Sequence, residues 1–436
     1  MESRLKCANV QQLLANNHGF ILSLLGSSLA AQLGQEFITA FMQNGEDAAS
    51  DVILSLVITA YEEPTTVSIS IPQTKAKEYL FNRKESKWIR IPSSTEMTGS
   101  GVFAASTITV RSDTPISVIS QSRRLHSSGR AVVYPVAALG TEYYAITPYE
   151  EPQEPFKEFA IINHDQANTV DVYLKGRVLF HGQSYMAGDK LQVQMAPLEA
   201  LQLQSADDLS GTRIVSEIPV AVLTGNKCSW LHSLCDLVYE QLMPVKSWGT
   251  EFFVPPLPFQ SRYDVAYVVA SQETTVSYTS GSTKMKREML AGEALRIRVR
   301  FSHPLFITAS AGIQVMFHCT GGLTQYKQYD QFLIGIPDTS QFCTSYSIYG
   351  STKFINTALI VIKTSGIQGL RFDGRPIKAV QWYQFPDTNY SWGSYKYTLG
   401  QRAGSHRVTH PNLRFELLSF GIADQDGYGA QAICVM

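Results

Sequence analysis

Along most of the chain, apolar and polar positions alternate instead of recurring every three or four residues. In Thr169–Leu174, Val170, Val172 and Leu174 fall on one face and Thr169, Asp171 and Tyr173 on the other. That period of two is the mark of a half-buried strand. Longer apolar runs, DVILSLVITA (51–60), EFAIIN (158–163) and DVAYVVAS (264–271), are bounded by turn-forming residues and read as strands covered on both faces. Each is followed by a Thr-x-Val alternation: TVSISI, TVDVYLKG and TVSYTSG. A weaker fourth set comprises DQFLIGIP, TALIVIKT and GLRFDG.

The pattern repeats. A Gly-x-Glu-aromatic phrase occurs as LGQEFITAF (33–41), LGTEYYAIT (139–147) and WGTEFFVPP (248–256), with Gly34, Gly140 and Gly249 spaced 106 and 109 residues apart. Later segments rhyme as well: ASTITVRSDTPISVISQ (105–121), SGTRIVSEIPVAVLTGN (210–226), SHPLFITASAGIQVMFHCTGG (302–322) and HPNLRFELLSFGIA (410–423). Each reads as strand, turn and apolar strand, with Pro115 and Pro219 at the turn, where a missing N–H harms no ladder. Such self-similarity outweighs any single motif in setting the fold. The expectation is an all-β chain of four units, 32–121, 138–226, 247–321 and 330–424. Each is an antiparallel β-sandwich of jelly-roll-like topology with about eight strands. A β-propeller with half-units as blades is the alternative. Cys235–Met243 (CDLVYEQLM) is read as a helix of about two turns. Tyr144 and Phe253 are expected to face inward at the position of Phe37 or its neighbour. Glu142 and Glu251, at equivalent places, are expected to be structural and not catalytic.

Composition narrows the function classes. The 436 residues suffice for two to four domains, and 44% apolar with 17% charged is a globular balance. A net charge of −1 lacks the basic footprint of general nucleic-acid binding. No apolar run reaches the length that spans a membrane as a helix. Residues 1–31 hold Arg4 and Lys6 before the short apolar stretch Gly19–Ala31 and read as a cleaved secretory leader or a short amphipathic helix. Of six cysteines, Cys228 and Cys235 bracket a short loop and are expected to form a disulfide in preference to a metal site with His232. Should Cys7 leave with the leader, Cys319, Cys343 and Cys434 allow one more bridge that spacing does not assign.

Hydrolase, phosphate-binding and zinc-helix signatures are absent from the sequence, so no catalytic, cofactor or metal residue is nominated. The candidate binding surface is Trp382–Tyr397 (WYQFPDTNYSWGSYKY), carrying Trp382, Tyr383, Phe385, Tyr390, Trp392 and Tyr395. Aromatic anchors dominate interface energetics. The plainer reading is two facing strands with cross-strand aromatic pairs. Asn389 begins the sequon Asn-Tyr-Ser, where a glycan would place the tip in solvent and argue against complete burial of Trp392. Gln121–Arg130 reads as a solvated basic linker and Ser282–Met289 as a basic hairpin tip.

Several phrases are specific enough to resemble a family. LGTEYYAITP, DLSGTRIVSEIPVAVLTGNKC, WGTEFFVPPLPFQSRYDVAYVVAS, IPDTSQFC, GLRFDGRPI and LLSFGIADQDGYG resemble the N-terminal module of the IgG-Fc-binding proteins of mucus, over Gly34 to Cys434. The resemblance implies a secreted, non-catalytic binding module of mucosal surfaces, needing no cofactor. Its implied partners are the Fc region of immunoglobulin G or mucin-type glycoproteins. Cys228 and Cys235 sit where such proteins have a short cysteine loop. That family usually continues into von Willebrand factor type D assemblies, which this sequence lacks, so polymerisation through them is not expected. The alternative function is a structural component of the mucus gel or cell surface that self-associates through edge strands or a spare cysteine.

Overall fold

The computed structural model describes residues 32–45, 52–125, 127–148, 157–231, 234–301, 303–324, 327–352, 354–399 and 404–435. The expected leader and Cys7 lie outside them. Regular structure among the described residues is antiparallel strand, with a few short 3-10 turns.

The rhyming segments are not strand pairs in the first three units but single long strands. Ile108–Arg124 pairs through its first half with Gly34–Thr39 and Thr65–Ser70, and through its second half with Ile53–Ala60 and Ser127–Val133. Arg213–Leu231 and Leu305–Cys319 span their units in the same way. Where a turn is expected, the register slips: Gly34 faces Ile116 but Glu36 faces Arg111, and Val215 and Val220 bracket the same slip in the second unit. Pro115 and Pro219 fall in these bulges, where no ladder bond is lost. Because one unbroken strand serves both halves of a unit, half-units cannot be separate propeller blades there. In the fourth unit Pro411 and its neighbours interrupt the long strand into Gly404–Thr409 and Glu416–Ala423, and two five-stranded sheets result.

The Gly-x-Glu-aromatic phrase opens each of the first three units for two physical reasons. Phe37, Tyr143 and Phe252 occupy the same register on the long strand and are essentially buried, each stabilising its core by about 1.5–3 kcal/mol. Tyr144 and Phe253 are buried too, in register with Ile38, the neighbour of Phe37. The glycine before them has no room for a side chain. A Cβ on Gly34 would lie 2.4 Å from Cβ of Pro135, and one on Gly140 would lie 2.5 Å from Cβ of Pro244. Each proline ends the last strand of its own unit, so the contact closes the unit on itself.

The fourth unit keeps the device without the phrase. The Tyr143 hydroxyl accepts from Gly140 N (2.8 Å) and donates to Val220 O (2.7 Å); the Tyr346 hydroxyl accepts from Cys343 N (2.9 Å) and donates to Phe415 O (2.7 Å). Cys343 therefore stands where the other units have glycine. It is disulfide-bonded to Cys434, with Cα atoms 5.9 Å apart, beyond that unit's last long strand. A covalent bond replaces the glycine–proline contact, and the pairing left open among three cysteines is settled.

The last strand of each unit builds the centre. Ser127–Val133 packs against both Leu234–Gln241 and Asp426–Gln431, and Phe332–Gly335 packs against the same two. The four units thus close into a ring around these strands. Two expectations are corrected here. Cys235–Met243 is not helical: Leu234–Gln241 is a strand paired with Arg213–Leu231. It is covered on both faces: Leu237 and Tyr239 join the core shared with the first unit, while Val238 joins the second unit's core. Nor is Gln121–Arg130 a solvated linker, since Ser127 to Arg130 are buried at the centre. Gly129 is required there by the Tyr239 ring, whose Cδ1 would lie 2.7 Å from an added Cβ.

Candidate functional site

The nominated aromatic segment divides by strand parity. Trp382–Gln384 and Tyr390–Tyr397 are facing strands, and Tyr383 stands opposite Trp392 with ring centres 4.7 Å apart, the cross-strand pair of the plainer reading. On this face Phe385 is 0% exposed and Trp392 is 1% exposed. Phe253 of the third unit lies 4.9 Å from Phe385 and 4.4 Å from Tyr390, and Phe301 meets Tyr383 and Trp392 edge-on at 5.2 and 5.4 Å. Most of the segment therefore forms the joint between the third and fourth units. Tyr383 and Tyr390 remain half-buried at its margin, while Trp382, on the opposite face, packs half-buried against the fourth unit's own core. The inference that Trp392 would be incompletely buried is overturned, because the sequon and the tryptophan are separated by this parity. Asn389 itself is exposed at the hairpin tip, with its carbonyl accepting from Thr364 N at 2.8 Å.

Tyr395 and Tyr397 point to the opposite face and line a concavity of about 490 Å³ on the fourth unit. Phe372 sits amid a cluster of rings, 4.9 Å from Tyr395, 5.1 Å from Tyr397 and 5.0 Å from His406. Phe372 is placed by a two-residue hairpin turn, Asp373-Gly374, with φ of +48° and +78°. Aspartate and glycine are the residues that tolerate this left-handed geometry. The Asp373 carboxylate then accepts from Arg407 N at 2.8 Å and from His406 Nδ1 at 2.7 Å, fixing the imidazole orientation. Arg375 and Lys396 complete the wall. Sequence reasoning reached only Tyr395 of this site. The signal it passed over was the Asp-Gly turn in GLRFDGRPI, which aims Phe372 across the sheet.

The other nominated residues have structural places. Glu142 pairs with Arg213 (Oε1 to Nε, 2.7 Å) and Glu36 with Arg111 (Oε1 to Nη2, 2.7 Å), so the repeated glutamate ties the opening strand to the long one in these two units. The described residues hold no group of three His, Cys, Asp or Glu arranged to bind a metal. Cys228 is disulfide-bonded, while the side chain of Cys235, its expected partner, lies outside the described residues. Cys319 is a free, buried thiol whose pKa burial pushes well up, so it is neither reactive nor reachable for linking chains.

The centre of the ring holds a cluster of perturbed carboxyls. Asp236 and Asp426 sit on the central strands Leu234–Gln241 and Asp426–Gln431, and Asp330 lies just before Phe332–Gly335. Asp236 accepts from Ser128 N at 2.9 Å, and Asp426 accepts from the Ser128 hydroxyl and from Arg123 at 3.3 Å. Burial, and after it mutual repulsion, raises the Asp236 carboxyl well up and Asp330 to about 7. Burial also raises Asp426, against the pull of Ser128 and Arg123. This cluster is enclosed between units and serves the assembly of the ring, whereas the concavity faces outward.

Comparison with known proteins places the chain in a sequence family. Residues 129–421 match the family described as IgGFc binding protein. The IgGFc-binding protein of Homo sapiens is 37% identical over 403 residues, which is 92% of this chain and 7% of that protein. Among solved structures, the BSP domain of a biofilm-associated protein is 7% identical with a TM-score of 0.15, covering 93% of this chain and 96% of that one. A calcium-stabilised adhesin by which an Antarctic bacterium binds ice is 8% identical with a TM-score of 0.13, covering 92% and 99%. Scores that low carry no argument about fold. By the family match over residues 129–421 and the 37% identity to the human protein over 92% of this chain, the chain belongs to the IgGFc-binding protein family.

Proposed function

We propose that this chain is a secreted, non-catalytic binding module whose partner is the Fc region of immunoglobulin G or a mucus glycoprotein. Membership of the IgGFc-binding family, read across nearly the whole chain, is the observation that carries this reading. The geometry is compatible with it. A ring closed by buried contacts is a rigid scaffold, and rigid scaffolds present outward loops and concavities at little entropic cost on binding. Because the chain spans 7% of its human relative, the activity of that whole protein is carried over only as a proposal.

The test is surface binding of the oxidised chain to intact IgG, Fc, Fab and a mucin panel, at ordinary and high salt. Saturable binding to IgG and Fc but not Fab is expected. No association with Fc or mucin at concentrations of ~10 μM, a weak interaction of about −7 kcal/mol, would refute the reading. Self-association in place of binding would favour a structural role in the gel.

A further inference from the structure

We propose that the concavity on the fourth unit binds an acidic sugar, a pyranose bearing a carboxylate or a sulfate. The inference rests on the reading of the chain as a binding module and names a ligand class for one of its surfaces. Three features of the concavity lead to it.

The first is its floor. Phe372 and Tyr395, with ring centres 4.9 Å apart, offer ring faces, and the buried Tyr397 supports Phe372 at 5.1 Å. Tyr397 is 6% exposed, so the floor is rigid. A pyranose has one apolar C–H face that covers such rings and a rim of hydroxyls that stays hydrated. A wholly apolar ligand would want enclosure, and this cavity is open and polar at its margin.

The second is charge. Arg375 and Lys396 line the wall, and neither forms an ion pair with a carboxylate among the described residues. The one nearby carboxylate, Asp373, is already committed to His406 and to the Arg407 amide. The cations are therefore available to an incoming anion, and the planar guanidinium fork suits carboxylate or sulfate oxygens.

The third is an unmet hydrogen bond. His406 lines the cavity with Nδ1 turned to Asp373, which leaves Nε2 buried without a partner in the protein. A sugar hydroxyl, able to donate or to accept, would satisfy that atom. Floor, charge and unmet hydrogen bond together describe a ring with hydroxyls and one negative group.

The experiment titrates the full chain with 3′-sialyllactose, 6-sulfo-N-acetyllactosamine, lactose and inorganic sulfate. Binding is followed by saturation-transfer NMR and calorimetry. At least one acidic sugar should bind at least about tenfold more tightly than lactose, a difference of about 1.4 kcal/mol. Inorganic sulfate should bind no better than lactose. The two acidic probes separate carboxylate from sulfate as the preferred anion. Arg375→Gln with Lys396→Gln should erase the preference, and Tyr395→Ala should weaken every sugar alike, with thermal melts confirming that both variants fold.

Absence of sugar binding at ~10 mM, equal affinity for acidic and neutral sugars, or a preference that survives the double substitution would each overturn the inference. Fc binding is measured on the same samples. Fc binding without sugar binding removes only this inference, and sugar binding without Fc or mucin binding removes only the partner proposed above.

Discussion

The Arg130 guanidinium lies 3.7 Å from the centre of the Tyr428 ring and thereby joins the first unit of the ring to the last. The same side chain donates to Tyr349 O at 3.4 Å and to the Ser351 hydroxyl. Beside it, Gln32 donates to Gln431 at 3.0 Å and accepts from Cys434 N at 2.8 Å. Ring closure is thus a polar event in a buried seam, and partners taken from it are left unsatisfied.

Arg130→Met should destabilise the chain by about 2–4 kcal/mol, since a desolvated cation–π contact is worth about 2 and the lost hydrogen bonds leave buried acceptors. Arg130→Lys should recover only part of this, because ammonium cannot stack or fork as guanidinium does. Urea unfolding midpoints decide the matter, and a variant as stable as wild type would refute the role of this contact in closure.

Gly140→Ala should cost about 1–3 kcal/mol although Gly140 has an ordinary extended conformation. The cause is the 2.5 Å approach of Pro244 Cβ. Gly140→Ala combined with Pro244→Gly, which removes the obstructing Cβ, should recover stability beyond the sum of the single changes, and a double-mutant cycle measures this coupling.

Phe253→Ala should lower stability by about 3–5 kcal/mol, as large-to-small changes in a packed core do. It should also open the joint between the third and fourth units, detectable as new proteolytic cuts near Tyr390. Trp392→Ala should behave in the same way. A loss of partner binding with unchanged stability would restore the aromatic segment as a surface.

The central carboxylates predict that the ring is more stable in weak acid than at neutral pH. A carboxyl whose pKa is raised on folding keeps its proton in the folded chain after the unfolded chain has lost it. Its stabilisation is complete below the unfolded value, near 4, and declines as pH rises towards the folded value, about 7 for Asp330. Glu158 and Glu240, raised to about 8 by burial, act in the same sense. His318, pushed down to about 4 by burial, opposes them between its folded and unfolded values. Urea midpoints should fall between pH of about 5 and 7, by on the order of 1 kcal/mol per pH unit for each titrating group. Asp330→Asn should flatten the slope, and an unchanged slope would count against the cluster as its source.

Removing the Cys343–Cys434 bridge by a double alanine substitution should cost about 2–5 kcal/mol. Cys319, which is 0% exposed, should resist thiol reagents in the native chain and label only on unfolding. Labelling under native conditions would show that the third unit's core opens.

Much of this protein was legible in the order of its residues. The alternation in Thr169–Leu174 and the phrases at Gly34, Gly140 and Gly249 determined strands and an all-β fold of several antiparallel sheets, because backbone pleat and core burial act on neighbouring residues. The meeting of Ser128 with Asp426, 298 residues apart, left no local trace, and only the tertiary structure decided it. The same separation explains the errors. Ser127–Arg130 looked solvated because its partners lie in other units, and Leu234–Gln241 looked helical because a strand covered on both faces loses its alternation. At Trp382–Tyr397 composition announced aromatic packing, but strand parity sent Trp392 into a joint and Tyr395 to an open concavity. Local sequence dictates which residues want burial or a partner; which distant surface supplies it is settled only when the ring closes.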